Sequence, residues 1–150
     1  LYGVNRGSNI IGDFDGDNKA DLAVFRPSNA AWFHLRSSDS GFFGFFFGAT
    51  GDVPVTGDYD NDGKNDVAIW RPSTGTWYIV NSSNSTVSGG AFGISTDLPV
   101  AADYDGDGKT DMAVFRPSEG VWYQLRSTSG FFATTYGTNG DRPTPNAFNQ

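Results

Sequence analysis

Short apolar stretches alternate with polar stretches rich in glycine, serine and aspartate along the whole chain. Residues 66–71 (DVAIWR) are apolar on both faces, which predicts a strand inside a sheet. Residues 77–80 (WYIV) predict the next strand, and the Arg-Pro-Ser-Thr-Gly segment between the two is typical of a hairpin. With a proline-containing first strand at 52–58 and an outer-edge strand at 87–93, the pattern predicts four short antiparallel strands.

The same pattern recurs at an offset of 45 residues, which places Asp13, Asp58 and Asp103 in register. A repeat of this length with four strands has the size of one β-propeller blade, although a stacked β-array shares the same periodicity. We therefore predict an all-β fold of propeller-type blades, with four antiparallel strands in each blade and three full repeats. The predicted boundaries are residues 13–57, 58–102 and 103–140 for the repeats, with partial end strands at 1–12 and 141–150.

The amino-acid composition mainly excludes several classes of fold and function. Twenty Gly and seven Pro favour short strands joined by turns over long helices. The absence of Cys excludes disulfides and thiolate metal sites, and a net charge of −7 argues against a nucleic-acid partner. No apolar run approaches the roughly 20 residues of a membrane span. The chain also lacks a nucleophile elbow, a phosphate-binding glycine loop and a histidine cluster, so we expect no enzyme activity.

Twelve of the 17 acidic residues lie in three loops of nine residues each, with aspartate at loop positions 1, 3, 5 and 9. Carboxylates at this spacing repel one another unless a hard cation lies among them, and calcium accepts roughly six to eight oxygen ligands. The position 7 carbonyl, which belongs to a lysine in every loop, is a further candidate ligand. The candidate calcium ligands are Asp13, Asp15, Asp17, Lys19 and Asp21; Asp58, Asp60, Asp62, Lys64 and Asp66; and Asp103, Asp105, Asp107, Lys109 and Asp111.

Three further expectations concern these loops. Position 6 requires a left-handed backbone, which Gly63 and Gly108 adopt more readily than Asn18, so the first site is expected to be the weakest. An EF-hand is excluded because its bidentate glutamate at position 12 is replaced here by Val or Ile inside a predicted strand. About three calcium ions per chain would offset six of the seven excess negative charges, so folding is expected to be calcium-linked.

The loops and the strand ends together resemble the FG-GAP or VCBS-type repeats of integrin α-subunit propellers and of many secreted bacterial proteins. The resemblance rests on Asp-x-Asp-x-Asp-Gly-x-x-Asp loops, which depart from the pattern only at Asn18, and on the strand ends Phe47-Gly48, Phe92-Gly93 and Tyr136-Gly137. Arg-Pro-Ser replaces the integrin Gly-Ala-Pro element, a form similar to the bacterial branch. The resemblance implies a calcium-bound propeller used outside the cell for binding or as a scaffold, sometimes as a lectin, and it implies no catalytic activity.

An Arg-Pro-Ser-x-x-x-Trp motif recurs once in each repeat. An arginine beside a tryptophan would provide a platform for sugar binding, through stacking and hydrogen bonding. Alternatively, an arginine stacked on the tryptophan and paired with Asp52, Asp97 or Asp141 would hold neighbouring blades together. Solvent access to the tryptophan faces distinguishes the two interpretations. The residues concerned are Arg26 and Trp32, Arg71 and Trp77, and Arg116 and Trp122.

Three repeats are fewer than the roughly four to eight blades that close a propeller. We therefore expect self-association into a ring or filament, or a place within a longer array, with the split ends at residues 1–3 and 142–148 pairing between chains. Phe45 and Phe46, where the second repeat has Gly and Ala, are candidate interface residues on the outer edge strand.

Together these features predict an extracellular, calcium-stabilised β-propeller repeat protein that acts as a self-associating structural or adhesive scaffold. The alternative is a glycan-binding module with one site per repeat, in which repetition supplies avidity. The extracellular location is expected because millimolar calcium outside the cell suits modules of modest affinity.

Overall fold

Residues 12–144 are described by the computed structural model, and their strands form three antiparallel sheets. The first sheet contains β1 (Leu22–Arg26), β2 (Ala31–Leu35) and β3 (Phe42–Phe46). The second contains β4 (Val53–Pro54), β5 (Val67–Arg71), β6 (Thr76–Val80) and β7 (Val87–Ala91). The third contains β8 (Leu98–Pro99), β9 (Met112–Arg116), β10 (Val121–Arg126) and β11 (Gly130–Thr135). Within residues 12–144 there is no helix with the length and apolar character needed to cross a membrane.

The all-β prediction is confirmed, and the second and third sheets have the four antiparallel strands that were expected. Neighbours in each sheet follow the order of the sequence, and β3, β7 and β11 are edge strands as predicted. Each complete sheet takes its first strand from the segment before an acidic loop, so the sheets are offset from the loop-to-loop repeats. Of the predicted end strands, residues 1–11 and 145–150 lie outside the described residues, and residues 141–144 form no strand.

The hairpin between β5 and β6 follows from the Arg-Pro-Ser-Thr-Gly segment. Gly75 has a φ of 62°, in the left-handed region that glycine enters without steric cost. A Cβ at Gly75 would lie 2.2 Å from the Gly93 carbonyl oxygen, so another backbone segment packs directly on this turn. The Gly75 carbonyl also accepts a hydrogen bond from the Phe92 amide at 2.7 Å. The turn therefore anchors the Phe-Gly end of the outer strand.

The sheets pack against each other through β5, which is buried on both faces. On one face, Val67 and Ile69 form a cluster with Trp32 of the first sheet. On the other face, Ala68 and Trp70 belong to a cluster that includes a valine of the third sheet. This double burial explains the continuous apolar run of the β5 sequence.

Strand β1 occupies the place of β5 in the first sheet but has one uncovered face. Leu22 is 71% and Val24 is 61% exposed, whereas the equivalent Val67 and Ile69 are 9% and 0% exposed. Phe25, on the opposite face of β1, packs in the cluster between the first two sheets. Within residues 12–144, the first sheet therefore exposes an apolar face to solvent, whereas the equivalent face of the second sheet is buried.

We expect Ile69→Ala to lower the free energy of unfolding by about 2–5 kcal/mol, because truncation leaves a cavity between two sheets. Val24→Ala is a matched control at the equivalent position, and its exposed side chain predicts a change within about 0.5 kcal/mol. Urea unfolding of dilute protein, followed by tryptophan fluorescence, measures both. Equal losses in the two variants would contradict the assignment of the uncovered face.

Candidate metal-binding loops

The aspartate at position 1 closes each acidic loop by accepting backbone hydrogen bonds. In the second loop, Asp58 accepts from the Asn61 amide at 2.6 Å and from the Gly63 amide at 2.9 Å. Asp13 and Asp103 accept from the same two loop positions at 2.7–3.0 Å. In each of the three repeats, the carboxylate at position 1 therefore fixes the conformation of the turn.

Two positions of each loop adopt the left-handed backbone conformation, whereas only position 6 was predicted to do so. Position 6 has φ of 64° at Asn18, 87° at Gly63 and 90° at Gly108. Position 4 is left-handed too, with φ of 84° at Gly16 and 63° at Asn61. The first and second loops each have one asparagine in this conformation, so both loops carry the steric cost of a left-handed residue other than glycine. The backbone therefore gives no reason to rank the first site as the weakest.

A pair of hydroxyl residues before the outer strand holds the aspartates at positions 3 and 5, and the sequence analysis did not single it out. Ser83 Oγ donates to Asp60 Oδ2 at 2.6 Å, and Ser82 Oγ donates to Asp62 Oδ2 at 2.8 Å. The first repeat contains the same contacts. The signal that could have identified this pair is its recurrence in the sequence at residues 37–38, 82–83 and 127–128.

The aspartate at position 9 is buried and ties its loop to the rest of the sheet. Asp66 Oδ2 accepts from the Tyr59 amide at 2.8 Å, and its Oδ1 accepts from the Ser82 amide at 2.7 Å. The Asp66 amide itself donates to the Gly57 carbonyl at 2.7 Å. Equivalent bonds occur in the first and third repeats. This residue therefore connects three separate backbone segments.

The carboxylates converge into three groups that could hold a metal ion. Within each group, one oxygen from each of three aspartates lies within 4.8 Å of the others. The third group uses position 9 in place of position 5, where Asp107 accepts hydrogen bonds from Ser127 and Thr128. The groups are Asp13, Asp15 and Asp17; Asp58, Asp60 and Asp62; and Asp103, Asp105 and Asp111.

Two carboxylate oxygens in these groups, Oδ1 of Asp60 and Oδ1 of Asp105, are buried and have no hydrogen-bond partner. The other oxygen of each carboxylate accepts hydrogen bonds from the turn before the outer strand. A buried charged oxygen without a donor is costly unless a cation ligates it. The residues present therefore fit a divalent cation. The ligand role of the carbonyls of Lys19, Lys64 and Lys109 remains a prediction.

Burial raises the pKa of several loop carboxyls above its ordinary value. The pKa of Asp66 is raised to about 6, chiefly by burial. Burial also raises the pKa of Asp13, Asp58 and Asp111. The pKa of Asp107 is lowered instead, because two side-chain hydroxyls donate hydrogen bonds to it. In the metal-free loops burial therefore disfavours the charged form at four positions, and a bound cation would offset this effect.

Backbone hydrogen bonds join neighbouring loops directly. The Asn65 amide of the second loop donates to the Asp13 carbonyl of the first at 2.6 Å, and the Thr110 amide donates to the Asp58 carbonyl at 2.6 Å. In both cases position 8 of one loop bonds to position 1 of the preceding loop. The approach is close, since a Cβ at Gly57 would lie 2.4 Å from Thr110 Oγ1. The three loops therefore form one connected series.

The repeated arginine pairs with an aspartate in the connection between two sheets. Arg71 Nε and Nη2 donate to Asp52 Oδ1 and Oδ2, each at 2.8 Å. Arg116 makes the same pair of bonds to Asp97, at 2.8 and 3.0 Å. These are two of the predicted pairs, and they fasten the connecting segment to the sheet that follows it.

The stacking partner of the arginine differs from the prediction. The Arg71 guanidinium lies over the Tyr78 ring, 4.8 Å from its centroid, and the other two arginines lie over the equivalent Phe33 and Tyr123. The stacked ring therefore belongs to the residue after the tryptophan. The reason is strand geometry, because successive side chains point to opposite faces and the tryptophan occupies the buried one.

The tryptophans of the motif are core residues that bind the Phe-Gly strand ends. Trp32 is 2% and Trp77 is 1% exposed, and Trp122 is half-buried. Each indole Nε1 donates to the carbonyl of the Phe or Tyr in the strand-end motif, at 2.9–3.0 Å. The ring faces of Trp32 and Trp77 are therefore closed to a stacking sugar.

The two candidate interface phenylalanines have different surroundings. Phe45 packs locally, with its ring stacked on Trp32 at 6.3 Å and edge-on to His34 at 5.5 Å between centroids. Phe46 is 76% exposed on the edge strand β3. An interface role is therefore supported by exposure for Phe46 alone.

The sheets and acidic loops define a propeller-type β-repeat protein with three groups of carboxylates that could hold metal. Residues 13–69 and 58–114 match the FG-GAP-like repeat, and residues 97–136 match the FG-GAP repeat. The chain belongs to the FG-GAP repeat family, whose members are often extracellular and adhesive. Neither a curated protein nor a solved structure matches the chain.

In calcium-free buffer, we expect wild type to gain stability relative to Asp66→Asn as the pH falls from 7 to 5. The pKa of Asp66 is raised from 3.8 to about 6 in the folded state, so in this window folding takes up a proton at Asp66. Urea unfolding of both proteins at each pH isolates this group, because the remaining titrating groups are shared. A stability difference that does not change with pH would contradict the burial effect.

Proposed function

We propose that this protein is an extracellular, calcium-stabilised β-propeller repeat protein with a structural or adhesive role rather than a catalytic one. The observation that carries the calcium proposal is the pair of buried, unpaired oxygens at Asp60 and Asp105 within groups of converging carboxylates. Membership of the FG-GAP repeat family supports the extracellular and adhesive parts of the proposal.

Calcium suits these loops better than other common divalent ions. The groups offer carboxylate oxygens, and they contain no histidine or cysteine of the kind that zinc prefers. Calcium accepts roughly six to eight oxygens in a flexible arrangement, whereas magnesium requires near-octahedral geometry and retains several waters. The lysine carbonyls at position 7 would add main-chain oxygens to the carboxylate set.

Calcium would act on stability through linkage to folding. Carboxylates that repel one another in the folded loops are separated in the unfolded chain, so the metal would bind the folded state preferentially. Because backbone bonds join neighbouring loops, ordering of one loop would support the next. Millimolar extracellular calcium is sufficient for sites of modest affinity.

Asp60→Asn is expected to lower the melting temperature in about 1 mM calcium, because a charged ligand is lost. A tenfold loss of affinity corresponds to about 1.4 kcal/mol of stability at saturating metal. In chelator the same change is expected to be neutral or stabilising, since Oδ1 has no partner and the neighbouring carboxylates are repulsive. Thermal unfolding in the two buffers measures the difference.

Asp39→Asn is the matched control for this experiment. Asp39 lies in an exposed turn outside the carboxylate groups, where it pairs with Arg36 at 2.7 Å. Its substitution is expected to have the same small effect with and without calcium. If Asp60→Asn instead costs equal stability in both buffers, the loop has a purely structural role and the calcium proposal is wrong.

We further propose head-to-tail self-association, for which the first and third sheets offer complementary groups. Asp141 accepts a hydrogen bond from the Thr138 amide at 2.8 Å, as Asp52 does from its own connecting segment, but no arginine of residues 12–144 pairs with it. Arg26 lies over Phe33 and has no carboxylate partner within the same residues. Within residues 12–144, Arg26 and Asp141 therefore each lack the ion-pair partner that the equivalent residues of the other repeats have.

In a head-to-tail pair, Asp141 of one copy would meet Arg26 of the next. The third sheet of one copy would then cover the exposed face of β1, which carries Leu22 and Val24. A contact of this type is heterologous, so it closes a ring or extends as a filament. Two chains would supply six blades, within the roughly four to eight that close a propeller.

Arg26→Asp and Asp141→Arg should each abolish association in calcium-containing buffer, because each places like charges at the contact. Each variant alone is then expected to have the monomer mass of 16.1 kDa by light scattering. Mixing the two variants restores opposite charges at both contacts, so the mixture is expected to contain species of twice this mass or more.

A charge reversal at an exposed turn, Asp39→Arg, controls for changes in net charge and should leave association intact. The proposal fails if concentrated wild-type protein remains at 16.1 kDa in calcium. It also fails if the mixture of the two charge variants behaves like the separate components, because complementary charges would then have no effect on assembly.

Glycan binding is the weaker candidate function. The sugar platform required open tryptophan faces, whereas Trp32 and Trp77 are buried. Their indole nitrogens are already used in hydrogen bonds to strand-end carbonyls. The repeated motif is therefore better explained by internal packing.

A further inference from the structure

A cleft of about 570 Å³ lies between the first and second sheets. Phe43 and Phe45 of β3 line it on one side, and Val67 of β5 and Val80 of β6 line it on the other. Phe43 is 59% exposed, so this wall is open to solvent. The volume lies within the roughly 300–1,000 Å³ of pockets that hold small organic molecules.

Each of two buried polar side chains at this cleft has one atom without a hydrogen-bond partner. His34 is 5% and Asn65 is 3% exposed, and the unpaired atoms are His34 Nε2 and Asn65 Nδ2. Both residues line the cleft, together with the half-buried Lys64. Lys64 forms no ion pair within the part of the chain that the structure describes. Unpaired buried groups are destabilising, so their concentration at one cleft calls for a partner.

His34 packs beside this cleft between two aromatic rings. The Phe14 ring stacks on it with 4.0 Å between centroids, and the Phe45 ring meets it edge-on at 5.5 Å. Burial lowers the pKa of His34, so its imidazole is neutral near pH 7. The neutral ring offers one donor and one acceptor nitrogen, and it presents these without a charge.

Several residues of the cleft stand at positions where the repeats differ from one another. His34 stands where the second and third repeats have Ile79 and Gln124, and Phe45 stands where the second repeat has Gly90. The repeating fold is formed without these residues elsewhere in the same chain. The side chains of His34 and Phe45 at this cleft are therefore not required by the architecture.

We propose that this cleft binds a small aromatic carboxylate. Apolar side chains line both of its sides, so the bound ring must be apolar on both faces, as an aromatic ring is. The unpaired Asn65 amide and the Lys64 ammonium are donors, which match the acceptor oxygens of a carboxylate. Of the other charged groups at the cleft, Arg36 pairs with Asp39, and Asp15 accepts two hydrogen bonds and belongs to the first carboxylate group, whose charge a bound calcium ion would offset.

The probe for this proposal is 4-fluorobenzoate, observed by fluorine NMR with the full chain in calcium-containing buffer. We expect saturable binding that unlabelled benzoate displaces. The uncharged 4-fluorobenzamide, which has the same ring and shape, is expected to bind about tenfold more weakly because it lacks the charge. Urea unfolding of every variant used establishes that it is folded.

Three variants test the assigned residues. His34→Ile and Asn65→Thr introduce the residues that other repeats carry at these positions, and Lys64→Met keeps the aliphatic chain without its charge. Each is expected to weaken binding of 4-fluorobenzoate about tenfold. Asn139→Thr is the matched control for Asn65→Thr, since Asn139 is exposed and far along the chain from the cleft, and it should leave binding unchanged.

Several results would overturn the proposal. These are the absence of saturable binding by wild type, equal binding of the amide and the carboxylate, and undiminished binding in all three cleft variants. The last result would show that the probe adsorbs to exposed phenylalanines elsewhere. Binding of a methyl glycoside that is lost in the cleft variants, without binding of benzoate, would also refute it and would assign the cleft to sugars.

Discussion

The buried aspartate at position 9 of each loop is the constraint on which the rest of the structure depends. Its carboxylate accepts two backbone hydrogen bonds and its own amide donates a third. The strand before the loop, the loop itself and the turn before the outer strand therefore meet at one residue. Asp66 is 0% exposed, so these bonds form away from water, where an unmade bond is most costly.

The remaining aspartates of each loop differ in how far hydrogen bonds satisfy their carboxylate oxygens. Position 1 is occupied by hydrogen bonds from the loop amides, which fix the turn without any ligand. Position 3 is held at one oxygen by the turn before the outer strand, and in the second and third loops its other oxygen is buried and unpaired. Hydrogen bonds thus fix the shape of the loop, but they leave part of its negative charge uncompensated. A cation bound among these carboxylates would offset that residual charge and so stabilise the folded state.

Local patterns explain what could be predicted from the sequence. The double-faced apolar run of β5 and the glycine at position 6 are visible within a few residues, and both predictions agree with the structure. The arginine contact was misjudged because Tyr78 and Trp77 are adjacent in sequence but lie on opposite faces of one strand. The role of Asp107 depends on hydroxyls far along the chain, and the cleft at His34 arises only where two sheets meet. Contacts of this kind leave no local signature.

The bonds between neighbouring loops have a direction. The second loop donates its position 8 amide, at Asn65, to the unit before it and offers its position 1 carbonyl, at Asp58, to the unit after it. The second unit thus supplies both the donor and the acceptor of this contact. A segment of the gene duplicated in tandem would encode a unit that already fits its new neighbours, without the evolution of a new interface. Array length can change by recombination under such a rule, and no single unit specifies how many copies are joined.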